Sequence, residues 1–130
     1  MRKGDGYRLA GGPMSPERAE NFRGKLAQEV SASRPKFIDP YAESAYRDCA
    51  AKIRQLGAAP IFVVAPSIFQ SPLLFREAPP APLLVFNDSK TYPQLYDPKV
   101  RVDEQHLTQE GSAEFTRLLA LKFIDAARRP

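Results

Sequence analysis

The residues whose types and spacing best suit chemistry are Asp103 and His106, which lie three apart just before Thr108. In a turn, this spacing can place the carboxylate of Asp103 against Nδ1 of the imidazole. The carboxylate then fixes the tautomer and stabilises the imidazolium, which leaves Nε2 free to act as a base. A lone surface or capping histidine is the alternative interpretation, because an Asp and a His at this spacing also occur together by chance.

Three further polar residues follow two apolar segments of the chain. Ser67 comes after segment 61–65, and Asn87 and Asp88 come after segment 83–86. Both segments are apolar on both faces, which is typical of parallel strands covered by helices on either side. Ligands of open α/β sheets bind beyond the carboxyl ends of the strands, so all three residues are candidates for a site. Simple turn formation is the alternative interpretation for Asn and Asp at such positions.

Apolar spacing and capping residues predict three helices that would flank these strands. The segments are 15–32, which begins at Ser15 and Pro16; 40–56, which follows Asp39; and 108–128, which begins at Thr108. The apolar stripe of the second helix includes Cys49, so the pattern predicts a buried core thiol.

The interval between the two predicted strands is long enough for a crossover helix, which we expect around residues 68–77. Two parallel strands make a poor sheet on their own. Segments 36–38 and 100–102 are therefore further strand candidates; otherwise the missing strands belong to another segment or to a partner chain. The predicted fold class is α/β, a three-layer sandwich with a parallel sheet that is incomplete.

Length and composition indicate one globular domain. The chain has 130 residues, of which 43% are hydrophobic and 26% charged, and this argues against overall disorder. We expect a flexible segment at 1–14 and a single α/β domain over 15–130. No apolar run approaches the roughly 20 residues that a membrane span needs. The charged start of the chain is not followed by the apolar stretch of a secretory signal, and the sequence assigns no compartment.

Several other kinds of site are excluded or made less favourable by composition. One cysteine cannot form a disulfide within the chain, and one histidine excludes a metal centre built from several histidines. No metal or organic cofactor is implied. The net charge of +4 arises within residues 1–36, where basic residues are interleaved with acidic ones. That pattern predicts a solvated surface in preference to a nucleic-acid site.

The region around the Asp-His pair resembles the C-terminal block of the SGNH hydrolase superfamily, the GDSL-type esterases and their O-acetyltransferase relatives. In that family an Asp-x-x-His-Leu turn opens the final helix, often with a glycine a few residues later. The residues that carry the resemblance are Tyr92-Pro93, Asp103, His106-Leu107-Thr108, Gly111, Phe115-Thr116 and Leu119-Ala120. The resemblance is specific over residues 103–120 and looser over the rest of 40–125.

The resemblance implies a flavodoxin-like SGNH fold and an acyl-ester substrate, carbohydrate esters included. It also implies that His106 is the general base and Asp103 its orienting carboxylate. The family nucleophile is a serine in a Gly-Asp-Ser motif after the first strand, whereas residues 4–6 of this chain are Gly-Asp-Gly. Ser67, at the predicted strand-to-helix turn, is the candidate substitute. Asn87-Asp88 lacks the glycine of the family's Gly-x-Asn-Asp block.

We therefore expect the C-terminal part of an SGNH-like domain that retains two members of a catalytic triad and is a very poor esterase or none. The alternative is a non-catalytic α/β module used for binding or assembly. Unpaired sheet edges invite pairing with another chain, so a homo-oligomer is the expected form of that alternative.

Overall fold

The computed structural model describes residues 11–32, 37–68 and 75–129, and it has α/β character. Within these ranges, three helices accompany a small sheet of two strands, and two short 3₁₀ turns precede the last helix. The elements in chain order are α1 (Pro16–Ala32), α2 (Pro40–Gln55), β1 (Phe62–Val64), β2 (Leu83–Val85), the 3₁₀ turns Pro93–Leu95 and Pro98–Val100, and α3 (Gln109–Arg128).

The three helices begin where their capping residues predict. The Asp39 carboxylate accepts hydrogen bonds from two amides of the first turn of α2, and the Thr108 hydroxyl accepts one from the amide of Gly111 in α3. The amide of Arg18 donates to the Ser15 hydroxyl at the start of α1. These side chains satisfy amides that have no partner within the helix. The three predicted helices are confirmed, each to within a residue or two at its ends.

The two strands are parallel, as their apolar pattern predicts. Phe62 is paired with Leu83 and Val64 with Val85, so β1 and β2 lie side by side in register. Within the described residues, neither additional strand candidate joins this sheet. Of the second candidate, Val100 ends a 3₁₀ turn and Arg101 forms an isolated antiparallel bridge with Leu107.

The predicted crossover helix lies mostly outside the described residues, because 69–74 are not among them. Ile68 and residues 75–77, which flank that interval, are not helical. The N-terminal segment is likewise described only from Gly11 onward. There, the amide of Met14 donates to the carbonyl of Arg101 at 3.1 Å. The flexibility of 1–14 stays a prediction.

The core lies where α1 and α3 meet β2 and the first 3₁₀ turn. Phe86 of the strand end packs edge-on against Phe115 of α3, with ring centroids 5.1 Å apart. Apolar side chains of α3 and α1 pack against the cluster and are partly buried by it. Its buried members are Phe22, Ile68, Leu84, Phe86, Tyr92, Leu95 and Tyr96.

Two expectations about burial are wrong. Cys49 is exposed, because α2 buries Glu43 and Ala50 instead of the whole predicted stripe. Val63 in β1 is 46% exposed, so β1 is not covered on both faces. In both cases the sequence shows an apolar residue suited to burial, but within the described residues no element packs over it.

Two helix glycines provide a matched pair of stability predictions. A Cβ at Gly111 would lie 2.4 Å from the carbonyl oxygen of Val100, whereas a Cβ at Gly24 would meet nothing within 4 Å. We expect Gly111→Ala to lower the free energy of unfolding by about 1–3 kcal/mol through overpacking. Gly24→Ala should raise it by roughly 0.5–1 kcal/mol, because alanine is the better helix former. Urea titration of both variants measures these two changes in the free energy of unfolding. Equal changes in the two variants would contradict the close approach of the Val100 carbonyl to Gly111.

Candidate active site

Asp103 and His106 are hydrogen-bonded to each other in the turn that precedes α3. The imidazole Nδ1 lies 2.8 Å from Oδ2 and 2.9 Å from Oδ1 of the carboxylate. Oδ1 also accepts hydrogen bonds of 2.8 Å from the amides of Gln105 and His106. The carboxylate is thus held by its own turn, and Nε2 points away from the atoms that bind Asp103. The His106 side chain is 71% exposed, so water reaches the ring.

The backbone around the pair closes like a small hairpin. Arg101 and Leu107 form an antiparallel bridge, the amide of Val102 donates to the carbonyl of His106, and the amide of Thr108 donates to that of Val100. The same Thr108 then caps α3. The turn is therefore joined directly to the start of a long helix, which limits its movement on that side.

The charged groups of the turn lie in an environment that favours ionised carboxylates. Partial burial raises the pKa of Asp103, but hydrogen bonds from Gln105 and His106 outweigh it and hold that pKa below its usual value. The side chain of Lys25 in α1 donates to the Glu104 carboxylate and lowers the pKa of Glu104 as well. An ionised Asp103 is the state that an imidazolium at His106 requires.

Arg101 connects this turn to the rest of the fold, and the sequence gives no sign of that role. Its side chain is completely buried, and its guanidinium donates to three carbonyls at 2.8–3.1 Å: those of Leu95, Glu104 and Pro66. The guanidinium also lies over the ring of Tyr96, 4.6 Å from its centroid. An arginine between two valines suggests a solvent-facing position in a strand, so its burial was not predictable from local pattern.

Tyr96 joins the carboxyl ends of the two strands. Its hydroxyl lies 3.1 Å from the carbonyl oxygen of Ser67, beyond β1, and 3.0 Å from that of Phe86, beyond β2. Burial raises the pKa of Tyr96 to about 12, although the nearby Arg101 charge acts in the opposite direction. Tyr96 and Arg101 together place the Asp103–His106 turn at the edge of the sheet where both strands end.

The other candidate residues follow the two strands but differ in their surroundings. Asp88 is exposed and accepts hydrogen bonds from Thr91 Oγ1 and the Lys90 amide, which lower its pKa and are typical of a turn. Asn87 is buried, and neither polar atom of its carboxamide has a hydrogen-bond partner within the described structure. Ser67 is half-buried, and its carbonyl oxygen accepts a hydrogen bond from the Tyr96 hydroxyl. Within the described residues, the hydrogen bonds of the His106 ring go to Asp103.

The described ranges contain no group of three or more His, Cys, Asp and Glu side chains that could hold a metal ion. Across those same ranges, no helix is long and apolar enough to cross a membrane. Residues 4–6, which are Gly-Asp-Gly in place of the family's Gly-Asp-Ser, lie outside the described part of the chain. In comparisons with known proteins, no family model, curated protein or solved structure matches this chain.

Proposed function

We propose that the Asp103–His106 turn is the general-base half of a serine-type acyl-ester hydrolase or O-acetyltransferase site of the SGNH kind. The observation that carries the proposal is the short hydrogen bond between Nδ1 of His106 and the carboxylate of Asp103, at 2.8 Å. Under this proposal the two strands belong to a flavodoxin-like three-layer sandwich that is incomplete in this chain. The substrate class is an acyl ester of an alcohol or a carbohydrate.

In this site Nε2 of His106 would take the proton of the attacking hydroxyl or water as the bond to the acyl carbon forms. Asp103 would stabilise the resulting imidazolium and keep Nδ1 protonated, so that the lone pair stays on Nε2. His106 would then return its proton to the leaving alcohol, which balances the step without any further reactant. The lowered pKa of Asp103 supports this role, because a protonated carboxyl group could not stabilise the cation.

The nucleophile of a covalent mechanism has no match to the family motif in this chain. Ser67 lies beyond the carboxyl end of β1, and Arg101 links the preceding Pro66 to the turn that holds the pair. It is therefore the one candidate substitute that we propose. Without an activated serine, the pair has only water to activate, and we expect slow hydrolysis with no acyl-enzyme intermediate.

Hydrolysis of p-nitrophenyl acetate by the purified chain tests this function. We expect slow turnover that falls at least about ten-fold in His106→Ala and in Asp103→Asn, since a positioned general base contributes 10²–10⁴-fold in complete sites. His106 is the only histidine, so no other imidazole can produce the difference. Ser67→Ala distinguishes the two possible nucleophiles: turnover stays unchanged where water attacks the ester and is lost where Ser67 does. Equal turnover by wild type and His106→Ala would contradict the proposed function.

The alternative, a non-catalytic assembly module, is favoured by the exposed side of β1. A mostly apolar groove of about 540 Å³ lies there, lined among others by Tyr46, Phe62, Val63 and Phe75. Within the described residues no strand pairs with that edge of β1, and such an edge can accept a second copy of the chain. This alternative requires a dimer in light-scattering measurements and no dependence of ester hydrolysis on His106. A monomer at high concentration would contradict it.

A further inference from the structure

We propose that Arg101 is a positioning residue, which holds the Asp103–His106 pair in register at the carboxyl ends of the strands. This inference rests on the proposed function of that pair. Arg101 does not touch the His106 ring; it acts on the backbone that carries it. Its three acceptors belong to three separate segments: the loop after β1, the end of the first 3₁₀ turn and the Asp-His turn itself.

The first step of the argument is the exposure of the pair. The side chains of Asp103 and His106 are 30% and 71% exposed. An exposed pair of this kind contributes little by itself, because water competes for both groups and two side chains must be ordered. Its short hydrogen bonds therefore depend on a backbone that is already fixed in the required conformation.

The second step is the way in which that backbone is fixed. Glu104 lies next to Asp103, and its carbonyl accepts a hydrogen bond of 3.1 Å from Nη1 of Arg101. Nη2 of the same guanidinium reaches the carbonyl of Pro66, 35 residues away in sequence. A rigid planar group thus ties the inside of the turn to the end of β1. A lysine at this position has one ammonium group on a flexible stem and cannot reproduce these three directions.

The third step is the kind of acceptor that Arg101 uses: within the described residues, none of its hydrogen bonds goes to a carboxylate. A buried arginine usually accompanies an acidic partner, but the hydrogen-bond acceptors of Arg101 are all backbone carbonyls. The desolvation of its charge lowers the pKa of Arg101, and the charge interactions with Tyr96 and with the Asp103 carboxylate compensate only in part. A non-charged core residue would avoid that cost, so the guanidinium is best explained by the three directions in which it donates.

The test uses the His106 ring, whose NMR signals are unambiguous because the chain has one histidine. Nitrogen chemical shifts report which ring nitrogen carries the proton in the neutral imidazole. In the wild type we expect the Nδ1–H tautomer to predominate, and Asp103→Ala supplies the signal of an unpaired ring. In Arg101→Lys the Nδ1–H fraction should fall by about half or more toward that of Asp103→Ala. Backbone relaxation should show a more mobile amide at His106.

Arg47→Lys is the matched control. Arg47 also donates to a backbone carbonyl, that of Ala78, and lies over an aromatic ring, that of Phe75, but it belongs to α2. This variant should leave the tautomer at its wild-type value. An unchanged Nδ1–H fraction in a folded Arg101→Lys variant would overturn the proposal. A change in the tautomer together with His106-independent hydrolysis would keep the positioning role and remove the proposed function.

If Arg101→Lys does not fold, a measurement on the wild type tests the positioning role of Arg101. The Nε–H of Arg101, buried and bonded to the Leu95 carbonyl, should exchange slowly with solvent, unlike the exposed arginines. As urea is added, the His106 tautomer should change in step with the loss of this protection. A tautomer that relaxes while the Nε–H stays protected would overturn the proposal, as would a rapidly exchanging Nε–H in the native chain.

Discussion

Arg101→Met should lower the free energy of unfolding by about 3–5 kcal/mol, the largest single-residue effect that we expect in this chain. The substitution keeps an unbranched apolar stem but removes the donors to the carbonyls of Pro66, Leu95 and Glu104. Those oxygens lie around a completely buried side chain, so water cannot readily replace the lost partner. Each buried acceptor left without a donor costs roughly 1–3 kcal/mol. Urea unfolding followed by circular dichroism measures the loss.

Arg117→Met is the control for this prediction. Arg117 makes two hydrogen bonds of 2.7–2.8 Å to the carboxylate of Glu114, and a charged acceptor makes each of them stronger than a bond to a neutral carbonyl. Both residues lie on the outer part of α3, and Arg117 is 58% exposed, so water replaces these bonds when they are lost. We expect little measurable change. A larger loss in Arg117→Met than in Arg101→Met would show that the buried carbonyl contacts do not hold the fold together.

We expect the wild type to lose stability at alkaline pH through Tyr96, and Tyr96→Phe should remove that loss. The pKa of Tyr96 is raised from 10.0 to about 12 by burial in the folded chain. As the pH rises above 10, the unfolded chain releases this proton first, which stabilises the unfolded state. The free energy of unfolding therefore falls from about pH 10 until the folded-state pKa is passed. A shift of this size corresponds to roughly 3 kcal/mol over that interval.

The measurement compares urea unfolding of the wild type and Tyr96→Phe at neutral pH and at steps above pH 10. At neutral pH the variant should be less stable by about 1 kcal/mol, because it lacks the hydrogen bond to the strand-end carbonyls. The difference should shrink or reverse as the pH rises. Tyr41→Phe, at an 87% exposed position, is the control and should follow the wild type throughout. A constant difference between wild type and Tyr96→Phe would contradict the raised pKa.

The sequence alone determined the features that depend on neighbours within a few residues. Asp39 and Thr108 begin their helices because a short side chain can reach amides two or three residues ahead. The Asp103–His106 contact is of the same kind, since a turn of four residues brings the two side chains together whatever surrounds it. The two strands and their parallel pairing followed from short apolar runs separated by a long connection.

Only the tertiary structure decided which surfaces are covered. Cys49 and Val63 have the apolar character of core residues, yet both lie in exposed positions. Burial depends on what packs against a residue, and a residue's own type does not specify its neighbours across the fold. The three-layer arrangement of the predicted sandwich has the same dependence. Local patterns predict single helices and strands, but they do not specify how the layers stack on one another.

Arg101 and Tyr96 show why the surroundings of the candidate site could not be predicted. Their acceptors are carbonyl groups, which every residue carries and which therefore leave no mark in the sequence. The contact from Arg101 to Pro66 spans 35 residues and that from Tyr96 to Ser67 spans 29. The chemistry of the Asp-His pair was thus encoded locally, whereas its position beside the ends of both strands depends on buried donors that only the folded chain brings to those carbonyls.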